Sequence, residues 1–315
     1  MPRSCGRDET RSHVGAPVKR CLATRQDGTR LAEVLAILAD LPFAALAVRM
    51  AAVAVFIIIG ALISERAGPF FGAMVTSLPV YTGPLYLFLA IDHPPEFLAQ
   101  VTIGSLGSCA VIPVFVIVYA LMARTGWGAL PSILVAFTVW LAVAAGVQMN
   151  DWSLIEALLF ALPVYAISIL VGRNFTQAVA LKPTGRSWRD LLLRVLLVTC
   201  VVGAVNAMSP FMPVKLTGIL SIMPTVMMSL ILVLHGRIGG PATAALLTHS
   251  MTGMVGMLLA VTLVGFTIVP WGPAASLSAG LATSVSWNLT LIAARHGYAV
   301  FSRRVPRDRR SDRGR

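Results

Sequence analysis

Nine long apolar runs, joined by short polar linkers, dominate the pattern of hydrophobic and polar positions along the chain. A transmembrane helix needs about 17–25 such residues. Each run comes close to that length or reaches it. The pattern predicts an all-α polytopic membrane protein with about nine transmembrane helices. The runs lie near 50–64, 69–91, 97–122, 129–147, 153–171, 191–208, 215–235, 241–265 and 272–294.

The amino-terminal region differs from the rest of the chain. Residues 1–30 are polar, Arg-rich and without apolar periodicity, which predicts a disordered segment. Residues 31–48 are apolar but contain Glu33, Asp40 and Pro42. A charge near the centre of a membrane helix costs roughly 2.5–3.5 kcal/mol on insertion scales. An interfacial helix is therefore favoured over a tenth span, which stays open as the alternative.

Composition supports a membrane location. The chain is 57% hydrophobic and 12% charged, with a mean hydropathy of +0.81. A soluble domain of this length could not bury so much apolar surface. The net charge of +12 is concentrated at the two ends, as in the basic flanks of many membrane proteins. We therefore predict the lipid bilayer as a partner and no nucleic acid. Homo-oligomerisation stays open.

The distribution of Lys and Arg predicts the orientation. The linker 172–190 is rich in basic residues, so it and the tail 296–315 are predicted to be cytoplasmic, in an inner (plasma) membrane. The opposite face keeps Asp92, Glu96 and Asp151. Nine spans with a cytoplasmic carboxyl terminus would place the basic amino-terminal segment on the non-cytoplasmic side. This conflicts with the usual excess of Lys and Arg in cytoplasmic segments. Either 31–48 forms a tenth span, or the natural chain starts further along.

An internal repeat is visible when the sequence is shifted by 145 positions. Pro79 then meets Pro224, and a shift of 147 brings Trp140 onto Trp287. The shift of 145 also superposes Arg49 on Arg194, Val53 on Val198 and Ser64 on Ser209. We predict two four-helix repeats, 49–147 and 191–295, with a linker helix and basic loop at 148–190. Equivalent helices are an odd number of spans apart, so the repeats are predicted to be inverted.

Each half resembles the small four-helix inner-membrane proteins of the GlpM type. The resemblance rests on short motifs over about two-thirds of the chain. They are Leu216-Thr-Gly-Ile-Leu-Ser-Ile-Met-Pro224-Thr, Met251-Thr-Gly-Met-Val-Gly256, Ser278-Ala-Gly-Leu-Ala-Thr-Ser-Val-Ser-Trp287, Gly72-Ala-Met-Val-Thr-Ser-Leu-Pro79 and Ser132-Ile-Leu-Val-Ala-Phe-Thr-Val-Trp140. That family has no established activity, so the resemblance implies an architecture and no substrate. This chain departs from it as a fused pair with a linker helix.

The strongest candidate site lies around two prolines in the middle of predicted spans, Pro79 and Pro224. Proline frees backbone carbonyls within a helix, and interrupted helices at matching positions of two inverted halves often mark a transport site. Alternatively, the prolines only kink two packed helices and the hydroxyls bond to their own helices. The hydroxyl residues beside the prolines are Thr76, Ser77, Tyr81, Thr82, Ser221, Thr225 and Ser229.

His249 is the clearest ionisable residue inside a predicted span and joins the candidate pathway, although a neutral hydrogen-bonded role is the alternative. No Asp or Glu lies in the middle of a core span, and the HExxH, GxSxG and Walker motifs are absent from the sequence. We therefore predict no catalytic residues, no metal, no cofactor and no enzyme activity.

These patterns favour a small-solute secondary transporter or facilitator with a midplane site between two proline-broken helices. A non-transporting membrane scaffold or accessory subunit is the alternative. A polytopic enzyme acting on lipid is disfavoured, because no catalytic constellation is visible.

Overall fold

A computed structural model gives the fold of residues 43–66, 81–176 and 188–304. The predicted disordered segment 1–30, most of the tail, and Thr76, Ser77 and Pro79 lie outside these described residues. Within the described ranges every regular element is a helix. The predicted all-helical class is therefore confirmed.

The described helices are here numbered in chain order. Two short 3₁₀ turns, Arg173–Phe175 and Ser209–Phe211, follow the fifth and sixth of them. The helices are α1 Phe43–Arg66, α2 Thr82–Asp92, α3 Pro95–Arg124, α4 Ala129–Val147, α5 Leu154–Gly172, α6 Trp188–Met208, α7 Val214–Ser221, α8 Thr225–Ile238 and α9 Gly240–Arg304.

The start of the first described helix differs from the prediction. Helix α1 begins at Phe43, so residues 43–48 of the predicted interfacial segment continue directly into the first predicted span. The predicted span at 215–235 is two helices, α7 and α8, separated by three residues outside either helix. Helix α5 begins as its sequence indicates, with a capping box in which Ser153 and Glu156 bond each other's backbone N–H groups.

The surface of the described helices is that of a membrane protein. Six helical stretches are long and apolar enough to cross a bilayer. The stretch Leu154–Phe175 has a mean hydropathy of 2.3, yet only 22% of its most apolar window is buried. Leaving such a helix face in water would cost about 25 cal/mol for each Å² of apolar surface, whereas lipid tails accept it. The chain is therefore a multi-pass integral membrane protein.

The last helix, α9, folds back on itself at Gly272. This glycine has φ 76° and ψ 167°, a conformation that interrupts a helix and favours glycine. The indole N–H of Trp287 donates to the carbonyl of Thr252, 35 residues earlier, at 2.9 Å. A straight helix would separate these residues by about 52 Å. The arms 240–271 (α9a) and 273–304 (α9b) thus form an antiparallel hairpin.

Helix α3 lies at the centre of the bundle, with 72% of its most apolar window buried. Its neighbour α9a runs in the opposite direction. At one end Gly240 faces Ala123, since an added Cβ would lie 3.1 Å from the Ala123 Cβ. At the other end Gly265 faces Thr102, where an added Cβ would lie 2.7 Å from the hydroxyl oxygen. These two contacts establish the antiparallel packing of α3 and α9a.

Polar contacts gather at the end of the bundle where α3 begins. Arg49 makes a bidentate ion pair with Asp92, with N–O distances of 2.5 and 2.7 Å. Lys215, at the start of α7, donates to a carboxyl oxygen of Asp151 at 2.6 Å and lowers the pKa of that carboxyl. His93, on the same turn as Asp92, lies 3.0 Å from the Ser209 hydroxyl. This end holds Asp92 and Asp151, which the sequence also assigns to one face.

A second set of contacts lies at the end where α3 finishes. The Arg124 guanidinium lies 4.2 Å from the centre of the Phe175 ring and donates to the carbonyl of Asn174. The Tyr119 hydroxyl lies 2.9 Å from Nδ1 of His235, near the end of α8. Arg124 and the start of the basic linker thus share one end of the bundle, as the orientation prediction requires.

Candidate functional site

The interruption predicted at Pro224 is present. Helix α7 ends at Ser221 and α8 starts at Thr225. Pro224 has φ −73° and ψ 42°, and Ile222 has φ −115° and ψ 10°, so neither continues a helix. Proline has no N–H to donate to the preceding turn and its ring clashes with it. The break therefore follows directly from the sequence.

Two hydroxyl groups from the start of α2 reach the end of α7. The Tyr81 hydroxyl donates to the carbonyl of Leu220 at 2.7 Å, and the Thr82 hydroxyl donates to the carbonyl of Ser221 at 3.2 Å. The last carbonyls of a helix lack partners within the helix, and in a bilayer no water replaces them. Tyr81 and Thr82, which the sequence places in the candidate site, thus lie at the break and cap it.

The rest of the α7 end is closed in a similar way. The Ser105 hydroxyl of α3 donates to the carbonyl of Gly218 at 3.1 Å, and the Ile222 N–H donates to the carbonyl of Ile219 at 3.3 Å. Each of the last four carbonyls of α7 therefore accepts a hydrogen bond. Ser105 is a contact at the break that the sequence prediction did not include.

Three other candidate hydroxyls behave differently. Ser221 donates to the Thr217 carbonyl at 2.7 Å and Ser229 donates to the Val226 carbonyl at 2.7 Å, each within its own helix. For these two residues the alternative, back-bonding to the helix, describes the structure. The hydroxyl oxygen of Thr225 is fully buried and has no hydrogen-bond partner within the described ranges.

A small cavity of about 30 Å³ lies at the break. It lies near the middle of the membrane-spanning helices, because Met254 and Met257 are close to the midpoint of α9a, and Met223 and Met227 close to that of the α7–α8 pair. The lining residues come from the start of α2, from α3, from the break and α8, and from α9a. They are Tyr81, Thr82, Ile112, Ile222, Met223, Pro224, Val226, Met227, Met254 and Met257.

His249 does not join this cavity. It is exposed on α9a, whereas its neighbours Thr248 and Ser250 are buried at 5% and 3% exposure. Adjacent residues of a helix point about 100° apart, so one face can pack while the next faces outward. The structure therefore brings together Tyr81, Thr82 and Pro224 around the cavity and leaves His249 on the outer surface.

The lining residues that sequence reasoning missed are Ile112, Ile222, Val226 and the four methionines, of which the methionines have the most distinctive chemistry. Met254 and Met257 are three residues apart on α9a, so they lie on one helix face, whereas Met223 lies in the break and Met227 on α8. The spacing of Met254 and Met257 is visible in the sequence and indicates one helix face that carries two thioethers. Nothing in the sequence indicated that this face meets the methionines of the break and of α8, because the two pairs belong to different parts of the chain.

The cavity wall offers uncharged groups that can bind a small ligand. None of its lining residues is charged. Within the described ranges no group of three or more His, Cys, Asp and Glu residues is arranged to hold a metal ion. The groups at hand are hydroxyl oxygens, thioether sulfurs and backbone at a helix break.

Comparison of the chain with family models, with curated proteins and with solved structures finds no match. The resemblance to GlpM-type proteins accordingly stays a prediction that rests on the motifs quoted above.

The caps on α7 lead to a stability prediction. Thr82→Val leaves the buried Ser221 carbonyl without its donor, which costs about 1–3 kcal/mol. Tyr81→Phe is expected to cost less, because the Leu220 carbonyl keeps the N–H of Met223 at 3.2 Å. Melting temperatures in detergent measure both. Thr138→Val is the matched control, since Thr138 is exposed and bonds only within its own helix. A Thr82→Val melting temperature equal to that of the control contradicts the capping role.

Proposed function

We propose that this protein is a small-solute secondary transporter or facilitator whose solute site is the break between α7 and α8. The observation that carries the proposal is a discontinuous helix with its gap, hydroxyl caps and cavity at mid-membrane depth. Broken helices of this kind supply solute and ion sites in many secondary transporters, because unwound backbone is tolerated in a membrane where it lines a cavity.

The arrangement of the helices supports an inverted duplication. With the shift of 145, the bounds of α2 and α3 fall within a few residues of those of α8 and α9a, and the start of α4 falls within a few residues of the start of α9b. The equivalent helices α3 and α9a pack antiparallel, as inverted repeats require. On this proposal α5 is the linker helix between the halves, and the nine-span count includes one span that covers residues outside the described ranges.

We further propose that the chain lies in the inner (plasma) membrane with its carboxyl terminus in the cytoplasm. The basic linker and tail support this orientation, since cytoplasmic segments carry the excess of Lys and Arg. The end of the bundle with Asp92 and Asp151 would then face outward.

The orientation is open to a direct measurement at two repeat-equivalent positions, His93 and Ile238. With the four native cysteines replaced, single cysteines at these sites are treated with an impermeant maleimide in intact cells. We expect His93→Cys to be labelled and Ile238→Cys to be protected until the membrane is permeabilised. Labelling of both in intact cells contradicts the inverted arrangement, and the reverse pattern contradicts only the cytoplasmic assignment.

A non-transporting scaffold or accessory subunit is the second candidate. Two observations favour it: the cavity is only about 30 Å³, and every carbonyl at the end of α7 accepts a hydrogen bond. A protein whose centre is permanently closed to water would also have a small cavity and fully bonded carbonyls. The two candidates differ in whether water ever reaches the break.

Cysteine accessibility at the break separates the two candidates without knowledge of the solute. Ile222→Cys, at a buried position that lines the cavity, is placed in the cysteine-replaced background and treated with a small charged methanethiosulfonate in right-side-out and in inverted vesicles. Alternating access predicts that the site reacts from both sides. Ala136→Cys is the control, because Ala136 is also fully buried but lies in α4, away from the cavity. Reaction from neither side favours the scaffold, and reaction from one side alone contradicts alternating access.

A further inference from the structure

Four methionine side chains converge on the cavity at the helix break. Met223 lies in the break and Met227 on α8, while Met254 and Met257 come from α9a. Met227, Met254 and Met257 are buried, at 2%, 5% and 6% exposure. Four of the ten lining residues are therefore thioethers, contributed in two pairs by two separate parts of the chain.

The other polar groups of the cavity wall also present lone pairs. Tyr81 and Thr82 donate their hydroxyl protons away from the cavity, to the carbonyls of Leu220 and Ser221. Their oxygens keep electron pairs for a further partner. Thioether sulfurs accept and do not donate. The side chains of the cavity wall thus offer electron pairs and no positive charge, which suits a cation.

The type of donor and the size of the cavity narrow the class of cation. Thioethers are soft ligands that select Cu⁺, whereas Mg²⁺, Ca²⁺ and Mn²⁺ require carboxylate, carbonyl or water oxygens. No lining residue is a carboxylate. A cavity of about 30 Å³ has room for a single water-sized occupant. It therefore suits a single ion better than an organic solute in this conformation.

We propose that the cavity binds a soft monovalent cation, Cu⁺ or its congener Ag⁺, through the thioethers of Met223, Met227, Met254 and Met257. This inference rests on the proposed function, since it names the solute class for the same site. Two other roles compete with it. Methionine also fills irregular gaps in a core, and the amino-terminal end of α8, beside the cavity, would favour an anion.

Substitution by leucine separates thioether binding from packing. Leucine is close to methionine in volume, so such exchanges usually cost less than about 1.5 kcal/mol when the role is packing. The test variant combines Met223→Leu, Met227→Leu, Met254→Leu and Met257→Leu in the full chain. The control combines Met149→Leu and Met208→Leu, which are exposed at 85% and 52%. Single Met227→Leu and Met254→Leu variants serve if the fourfold variant does not fold.

The binding experiment uses silver nitrate in chloride-free buffer, with the purified protein in detergent. Bound silver is measured by elemental analysis after removal of the free ion. The four native cysteines also bind silver, but to the same extent in every variant. Silver bound at the methionine site is therefore measured as the difference in total bound silver between the wild type and the fourfold variant. We expect the wild type and the exposed-methionine control to hold one more equivalent than the fourfold variant. Each single variant should bind that equivalent at least about tenfold more weakly, corresponding to 1.4 kcal/mol of binding free energy.

Equal silver in the wild type and the fourfold variant, or unchanged affinity in the single variants, overturns the inference. Chloride or bromide that protects Ile222→Cys from labelling, with no silver difference, would assign the cavity to an anion instead and likewise overturn it. A failure of the silver-binding prediction can be distinguished from a failure of the proposed transport function. Two-sided labelling of Ile222→Cys without a silver difference leaves a transporter of another solute, and a silver difference without labelling leaves a static metal site.

Discussion

Replacement of Gly218 by alanine or valine is expected to be among the most damaging single changes in this protein. Helices α3 and α7 cross where Gly218 meets Gly104. An added Cβ at Gly218 would lie 2.9 Å from the Gly104 Cα and 2.9 Å from the Val101 carbonyl oxygen. Both are backbone atoms, so no side-chain rotation relieves the contact. The helices must separate, and the loss of stability should reach or exceed the roughly 1–3 kcal/mol that overpacking costs.

The chain offers matched controls for this prediction. Gly146 in α4 and Gly236 in α8 are also helical glycines, but an added Cβ there meets nothing within 4 Å. Alanine at these two sites should be neutral or stabilising, because it favours a helix by up to about 1 kcal/mol over glycine. Gly104→Ala should fall between, since its nearest backbone contacts are 3.3 Å. Melting temperatures are measured in detergent. If Gly218→Ala does not melt below Gly104→Ala, the close crossing of α3 and α7 is contradicted.

Gly256→Ala is expected to be the second damaging change, for a different reason. An added Cβ would lie 2.8 Å from Cδ1 of Trp287 and 2.9 Å from its Cβ. The indole cannot turn away freely, because its N–H is bonded to the Thr252 carbonyl across the α9 hairpin. The two arms of the hairpin are forced apart, and the melting temperature should fall by an amount similar to that for Gly218→Ala.

The atoms that an added Cβ at Gly256 would meet belong to the Trp287 side chain. Removal of this side chain should therefore restore part of the stability that Gly256→Ala loses. Trp287→Ala alone is expected to destabilise, since it loses the hydrogen bond and packing. In the Gly256→Ala background the same change should cost less, with a coupling of about 0.5–3 kcal/mol. Additive effects of the two substitutions would contradict the close contact between α9a and α9b. No such rescue is expected for Gly218, where the obstacle is backbone.

The break in the seventh span is the part of the site that the sequence predicted well. Proline in the middle of an apolar run removes a hydrogen bond wherever the helix packs, so a local rule suffices. The same rule leaves Pro79 as a prediction, since it lies outside the described residues. The hydroxyls at 81 and 82 were candidates by proximity in sequence, but their role as caps of another helix was not predicted.

Helix faces were the part that the sequence could not determine. In water, the buried face of a helix is apolar and the other is polar, so the sequence identifies it. In a bilayer both faces are apolar, because lipid tails are as apolar as a protein core. Helix α5 is an example, with a mean hydropathy of 2.3 and only 22% of its most apolar window buried. The same ambiguity made His249 a candidate on sequence grounds, although it lies on the outer surface.

The sequence by itself thus determined the membrane class, the apolar segments, the break at Pro224 and the separation of basic from acidic linkers. These features depend on hydropathy, on charge and on the chemistry of one proline, all of which act locally. Tertiary structure alone decided that Tyr81 and Thr82 cap α7, that Gly218 meets Gly104, and that four methionines share one cavity. Each of these depends on which helix faces meet, and contacts between residues some thirty to 140 positions apart leave no local trace in an all-apolar pattern.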